Sequence, residues 1–251
     1  MILLSDRRVR ELPVADNGEA LVDVRTVDGL RVDHRLADPL GAYALLREGV
    51  IDRLLTAQRR LPDGVRLLIV EGYRPLSLQA AYFGEYAGKL RQAHPEWDAE
   101  RVHVEASKYI SPPEVAPHST GGTVDLTLCA EDGTELDLGT PINATPLESA
   151  DRCFTAATDI PSAARSARST LGTALTSVGM INYPTEWWHW SFGDRYWALQ
   201  SGAGRTCYGP VDLAAALTPS SALSLAPSLA LSLALDQGSG SNHGARSDPE
   251  P

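Results

Sequence analysis

Cysteine is scarce in this chain: Cys129, Cys153 and Cys207 are the only three in 251 residues, and no CxxC pair occurs. That pattern is neither a disulfide framework nor a cysteine-based zinc site. It reads as unpaired thiols in a reducing compartment. Long apolar runs are missing too, and none approaches the roughly 20 residues that a membrane span needs. The opening MILLSDRRVRELPVADNG meets charge too soon to read as a secretory signal. The expectation is a cytoplasmic protein without a membrane partner. Basic charge is short as well: 22 Lys and Arg stand against 32 Asp and Glu, a net charge of -10. This balance argues against nucleic acid or an anionic membrane surface as the main partner. Several reactive signatures are also absent. There is no HExxH, no G-x-S-x-G elbow, no phosphate loop and no dinucleotide glycine fingerprint.

What remains is an ordinary globular composition, 43% hydrophobic and 22% charged. The length suffices for a real core without disulfides or a structural metal. Residues 1 to 37 suggest one or two short strands and loops. From Pro39, the spacing of Leu40, Tyr43, Leu46, Val50, Leu54 and Leu55 predicts an amphipathic helix with arginines on its outer face. VRLLIVEGYRP reads as a buried strand, LSLQAAYFGEYAGKLRQ as a helix, and HPEWDAERVHVEASKYI as a polar loop or short helix. HSTGGTVDLTLCAEDGTELDLGT predicts two strands joined at EDGT. Residues 162 to 178 read as a helix capped by Gly179, and YPTEWWHWSF as strand. From residue 215 the chain turns to Leu/Ser/Ala low complexity and then Gly/Ser/Pro. It divides into a domain over 1–214 and an extension over 215–251 that reads as disordered.

Of six histidines, His34, His94, His103 and His243 have surroundings that suit a solvated surface. His118 differs, because it follows a proline-stiffened loop and stands seven residues before Asp125. That aspartate lies inside the apolar TVDLTL, where an unpaired charge would be costly. A cap, an arginine or a metal would each supply a partner. YPTEWWHW, residues 183–190, adds Glu186 and His189 among three tryptophans. His118, Asp125 and His189 match a catalytic zinc site in type and number. Glu186 is placed to act as a general base beside it, with the tryptophans excluding bulk water. Arg74 in EGYRP is either a structural arginine bonding loop carbonyls or a guanidinium aimed at a substrate carboxylate or oxyanion.

EGYRP, PHSTGGTVDLTL and EWWHW, in this order and spacing, closely resemble the VanX-type D-alanyl-D-alanine dipeptidases. These zinc peptidases are grouped with VanY-type D,D-carboxypeptidases and the Hedgehog signalling domain. The resemblance spans roughly residues 15 to 210. It implies a single zinc ion on His118, Asp125 and His189, Glu186 as catalytic base and Arg74 stabilising the transition state. It implies an α+β fold in one domain, with a central antiparallel sheet, helices packed mainly on one side and the zinc site on the sheet. The implied substrate is D-Ala-D-Ala, held in a small closed pocket and cleaved to free D-alanine. That activity would connect the chain to wall-precursor turnover or glycopeptide resistance. A D,D-carboxypeptidase, a hydrolase of another small amide and a non-catalytic zinc-stabilised binding domain are the alternatives. Three positions depart from the family pattern and are expected to bear on substrate: Ala116 in place of a serine, Thr123 in place of alanine, and Asn143 where relatives carry an acid.

Overall fold

Two strands carry the architecture, and both are runs of β-branched and aliphatic residues that suit a sheet buried on both faces. A computed structural model describes residues 1–212. The low-complexity extension expected from residue 215 lies outside the described residues. In chain order, helix α1 (Arg7–Arg10) precedes strands β1 (Leu21–Asp23), β2 (Arg31–Val32) and β3 (Leu45–Arg47). Helix α2 (Glu48–Gln58) leads to β4 (Val65–Glu71), then to helices α3 (Leu76–Ala93) and α4 (Ala99–Ala106). Strand β5 (Thr123–Ala130), the one-turn α5 (Pro146–Ser149) and α6 (Ser162–Thr176) follow. Strands β6 (Ile181–Asn182) and β7 (His189–Ser191) and helix α7 (Arg195–Ser201) complete the α+β fold.

The main sheet has the order β2-β4-β5-β7-β6, and β1 pairs with β3 in a separate ribbon. Neighbours in the main sheet are antiparallel except at one edge, where β2 runs parallel to β4. The expected antiparallel sheet is therefore corrected at that edge. Along β5, Val124, Leu126 and Leu128 enter a core closed by α2 and α6. Each such fully buried side chain contributes about 2 kcal/mol. Strand alternation turns Asp125 and Thr127 to the opposite face. The expectation of helices mainly on one side fits α2 and α6. Helices α3 and α4 instead pack on each other around Ala87, Val102 and Ala106.

The helix expected from Pro39 begins nine residues later, at Glu48. Gly41 takes the left-handed conformation with φ 68°, which breaks any helix there, and residues 42–44 make a single 3-10 turn. Residues 45–47 then pair with β1, so Leu46 and Val50 share helical spacing without sharing a helix. Arg47, expected on an outer helical face, is 3% exposed and bonds to Asp16 at 2.5 Å. The turn at EDGT forms as expected, but its second arm shrinks to a bridge between Cys129 and Glu135. Gly179 follows α6 as expected, with Met180 N–H donating to the Leu175 carbonyl at 3.2 Å. YPTEWWHWSF yields only the three strand residues of β7, because residues 183–188 form a turn.

Candidate metal centre

The register of the main sheet assembles the site. Asp125 on β5 stands opposite His189 on β7 and opposite Glu71 on β4, making one cross-strand row. Glu71 reaches that row through an irregularity in β4. Ile69 pairs with Leu126 and Glu71 with the very next residue, Asp125, so Val70 is a bulged extra residue. Without the bulge Glu71 would share the core-facing side of Ile69.

His118 enters from a 3-10 turn (residues 118–120) that ends on Gly121, whose left-handed φ of 69° favours glycine. Its Nδ1 lies 2.7 Å from the Gly72 carbonyl oxygen. A carbonyl can only accept, so in the neutral ring Nδ1 carries the proton and Nε2 presents a lone pair. That Nε2 is 3.3 Å from Asp125 Oδ1, and His189 Nδ1 is 3.0 Å from the same oxygen. Asp125 Oδ1 is nevertheless a buried atom without a hydrogen bond. The donor atoms of His118, Asp125 and His189 all lie within 4.8 Å of one another, and all three residues are buried. Converging lone pairs, an orphaned carboxylate oxygen and an imidazole fixed by a backbone carbonyl are the signs of a centre that could hold a metal. Burial raises the Asp125 carboxyl, but when His118 and His189 are both protonated they outweigh it and hold it well below the usual carboxylate range.

Glu186 sits on the turn before β7, with Oε2 3.6 Å from His189 Nδ1. Asn182 clamps this turn, its Nδ2 donating to the carbonyls of Glu186 and His189, each at 3.0 Å. The Glu186 side chain shows 28% of its surface, all that the enclosing walls leave open. Burial pushes its carboxyl up, with His189 opposing and Asp125 reinforcing the shift. Arg74 is held by two side chains. Its Nε donates to Glu71 Oε1 at 2.7 Å, its Nη2 bonds Glu71 Oε2, and its Nη1 donates to Gln79 Oε1 at 2.8 Å. Gln79 is fixed in turn by the Ser111 carbonyl at 2.7 Å. Burial works against the Arg74 charge, but Glu71 more than compensates and raises its pKa.

Arg74, His118, Asp125, Asn143, Glu186 and His189 all line one cavity of about 1000 Å³. The small closed pocket expected for a dipeptide is thus corrected: residues of α3 and of the loops at 36–43 and 107–111 line the same cavity as the reactive groups. Asn143 is exposed on its wall, in a left-handed conformation with φ 66°. Ala116 and Thr123 lie outside that wall. Ala116 is buried, and Thr123 donates from Oγ1 to Asp194 Oδ2 at 3.0 Å, beneath the start of α7. The three tryptophans belong to the main core, and Trp188 also reaches the cavity. His94 stacks on Trp97, and the exposed His34 has its Nδ1 2.7 Å from the Tyr43 hydroxyl. His243 lies outside the described residues. Glu71, Gln79 and Asn182 were not singled out in the sequence. Only Glu71 carried a signal, as a charge ending an apolar strand three residues before Arg74.

A buried His-Asp-His group with a carboxylate and an arginine at its edge, on one face of an α+β sheet, defines a metallopeptidase. The family described as D-ala-D-ala dipeptidase matches residues 31–202, and the chain belongs to that family. A D-alanyl-D-alanine dipeptidase of Synechocystis sp. is 29% identical, over 75% of this chain and 88% of the relative. One from Escherichia coli is 30% identical, over 51% of this chain and 55% of the relative. A solved structure of a zinc-bound mutant of the vancomycin resistance D,D-pentapeptidase VanY covers 75% of this chain and 86% of its own, at 15% identity and a TM-score of 0.41. Zinc is the cofactor, in keeping with the family and the donor set. Among the described residues no helix is long and apolar enough to cross a membrane.

Proposed function

We propose that this chain is a D,D-dipeptidase that hydrolyses D-alanyl-D-alanine to free D-alanine, with His118, Asp125 and His189 holding zinc. The observation that carries the reading is the convergence of these three donors around an orphaned Asp125 oxygen, with Glu186 and Arg74 at the same spot. Zinc bound there supplies a Lewis acid that polarises the scissile carbonyl and makes water a better nucleophile. Glu186 takes the proton of the attacking water on its carboxylate and delivers it to the leaving amine as the C–N bond breaks. Its Oε2 lies 3.6 Å from His189 Nδ1, which sets it beside the donor group where that exchange takes place. Arg74, aligned by Glu71 and Gln79, donates N–H groups to the oxygen on which charge develops. A purely structural metal site would need neither residue, which disfavours the non-catalytic binding domain.

The relatives' printed activity supports the choice of substrate. Consumption of this wall precursor in the cytoplasm would bear on precursor turnover or glycopeptide resistance. The test is release of D-alanine from D-Ala-D-Ala, beside a pentapeptide ending in the same pair. Cleavage of the dipeptide alone is expected. Cleavage of the pentapeptide alone would make the chain a carboxypeptidase, and cleavage of neither would remove the reading.

A further inference from the structure

The cavity is far larger than the proposed dipeptide requires. Two extended residues span at most about 7 Å, whereas Leu78, Tyr82 and Tyr86 repeat at four-residue spacing along α3 and cover about 12 Å of it. All three line the cavity. The strip starts at the reactive end, since the Arg74 guanidinium lies 5.4 Å from the Tyr82 ring centre. It continues outward through Tyr86, whose ring meets Tyr109 edge-on at 5.8 Å. Leu36 lines the cavity as well.

Except for the partly buried Tyr86, these side chains are exposed where large apolar groups are normally covered. Leu36 (37%), Leu78 (37%), Tyr82 (42%) and Tyr109 (38%) are four of the nine exposed large hydrophobic residues among those described, and all four belong to this single cavity. Helix α3 runs for 18 residues yet has only Gln79 and Ala87 buried. Phe83, Tyr86, Ala87 and Leu90 pack toward α4, whereas Leu78 and Tyr82 stay exposed on the cavity wall, and an apolar lining beside convergent polar groups is the usual form of a binding site. The exposed wall position at 143 is a neutral asparagine.

We propose that the preferred substrate is a D,D-dipeptide bearing an aromatic or large aliphatic side chain, which lies against the Tyr82–Tyr86–Tyr109 strip while its peptide bond meets the metal centre. This rests on the zinc dipeptidase reading. The site was not built to reject D-Ala-D-Ala, which simply leaves the strip uncovered.

The experiment compares kcat/KM of the zinc-loaded protein for D-Ala-D-Ala, D-Ala-D-Phe, D-Phe-D-Ala and a pentapeptide ending in D-Ala-D-Ala. At least one phenylalanine dipeptide is expected to exceed D-Ala-D-Ala by about tenfold, the gain from one well-placed aromatic contact with its buried area. In the Tyr86→Ala/Tyr109→Ala variant that ratio is expected to fall toward one. A wild-type ratio at or below one overturns the inference while leaving the dipeptidase reading intact, and so does a preference for the pentapeptide. A ratio that survives in the variant also overturns it. Failure to cleave any dipeptide removes both readings together. The wild-type ratio decides even if the double variant does not fold.

Discussion

Among individual residues, the division of work at the centre gives the sharpest expectations. Glu186 lies beside the donor group without completing it, so Glu186→Gln is expected to lower kcat by about a hundredfold to ten-thousandfold while zinc content stays at that of the wild type. Metal analysis beside turnover checks this, and loss of zinc in the variant would make Glu186 a ligand instead. Glu71 acts through Arg74. Removing its carboxylate strands a guanidinium whose side chain is only 15% exposed, and Glu71→Ala is expected to cost about 3 kcal/mol in stability, read by denaturant unfolding. His118, Asp125, His189, Glu186 and Arg74 could be picked out of the sequence because each is a polar residue in an apolar or rigid setting. Gln79 and Asn182 could not. They serve by bonding to neighbours, Arg74 and the 183–189 turn, and only the folded chain reveals those partners.

At the scale of elements, strand β5 shows how alternation separates stability from chemistry. Leu126 is completely buried in the core, and Leu126→Ala is expected to cost about 2–5 kcal/mol while the protein still binds zinc. Its neighbour points the other way, so Asp125→Ala is expected to abolish stoichiometric zinc binding. Thermal unfolding and zinc titration of the two variants separate the faces, and equal zinc binding by both would contradict the register. Long elements with one buried stripe, such as α6, were legible from periodicity, and so were β4 and β5 from their apolar runs. The start of α2 was not, because Leu46 and Val50 fit a helical period while Gly41 and pairing with β1 place residues 45–47 in a strand. The bulge at Val70 was equally hidden. Nothing in VRLLIVE distinguishes a strand that keeps its register from one that shifts it.

Across the whole of the described chain, distant segments are tied to the site through one arginine. Arg47 donates from Nε to the Thr120 carbonyl at 2.8 Å and from Nη2 to the Gly209 carbonyl at 3.2 Å, and it pairs with Asp16. It thereby joins the N-terminal stretch, the turn that carries His118 and the end of the described chain. Arg47→Ala leaves the buried Thr120 and Gly209 carbonyls unsatisfied and is expected to destabilise the protein by about 2 kcal/mol. Chemical denaturation checks the value, and a cost below about 0.5 kcal/mol would mean that the network is dispensable. The same scale exposes the largest gap between sequence and structure. Motifs report the residues at the reactive end of a cavity, whereas its volume depends on how far α3 and the flanking loops stand away from the sheet. The central claim remains that the His118–Asp125–His189 group binds the zinc that makes this chain a D,D-dipeptidase. It is tested most directly by D-alanine release from D-Ala-D-Ala as zinc is titrated into chelator-stripped protein. The expected result is no release without metal and full activity at one zinc per chain; release that is unchanged by stripping, or absent from the zinc-loaded protein, would contradict it.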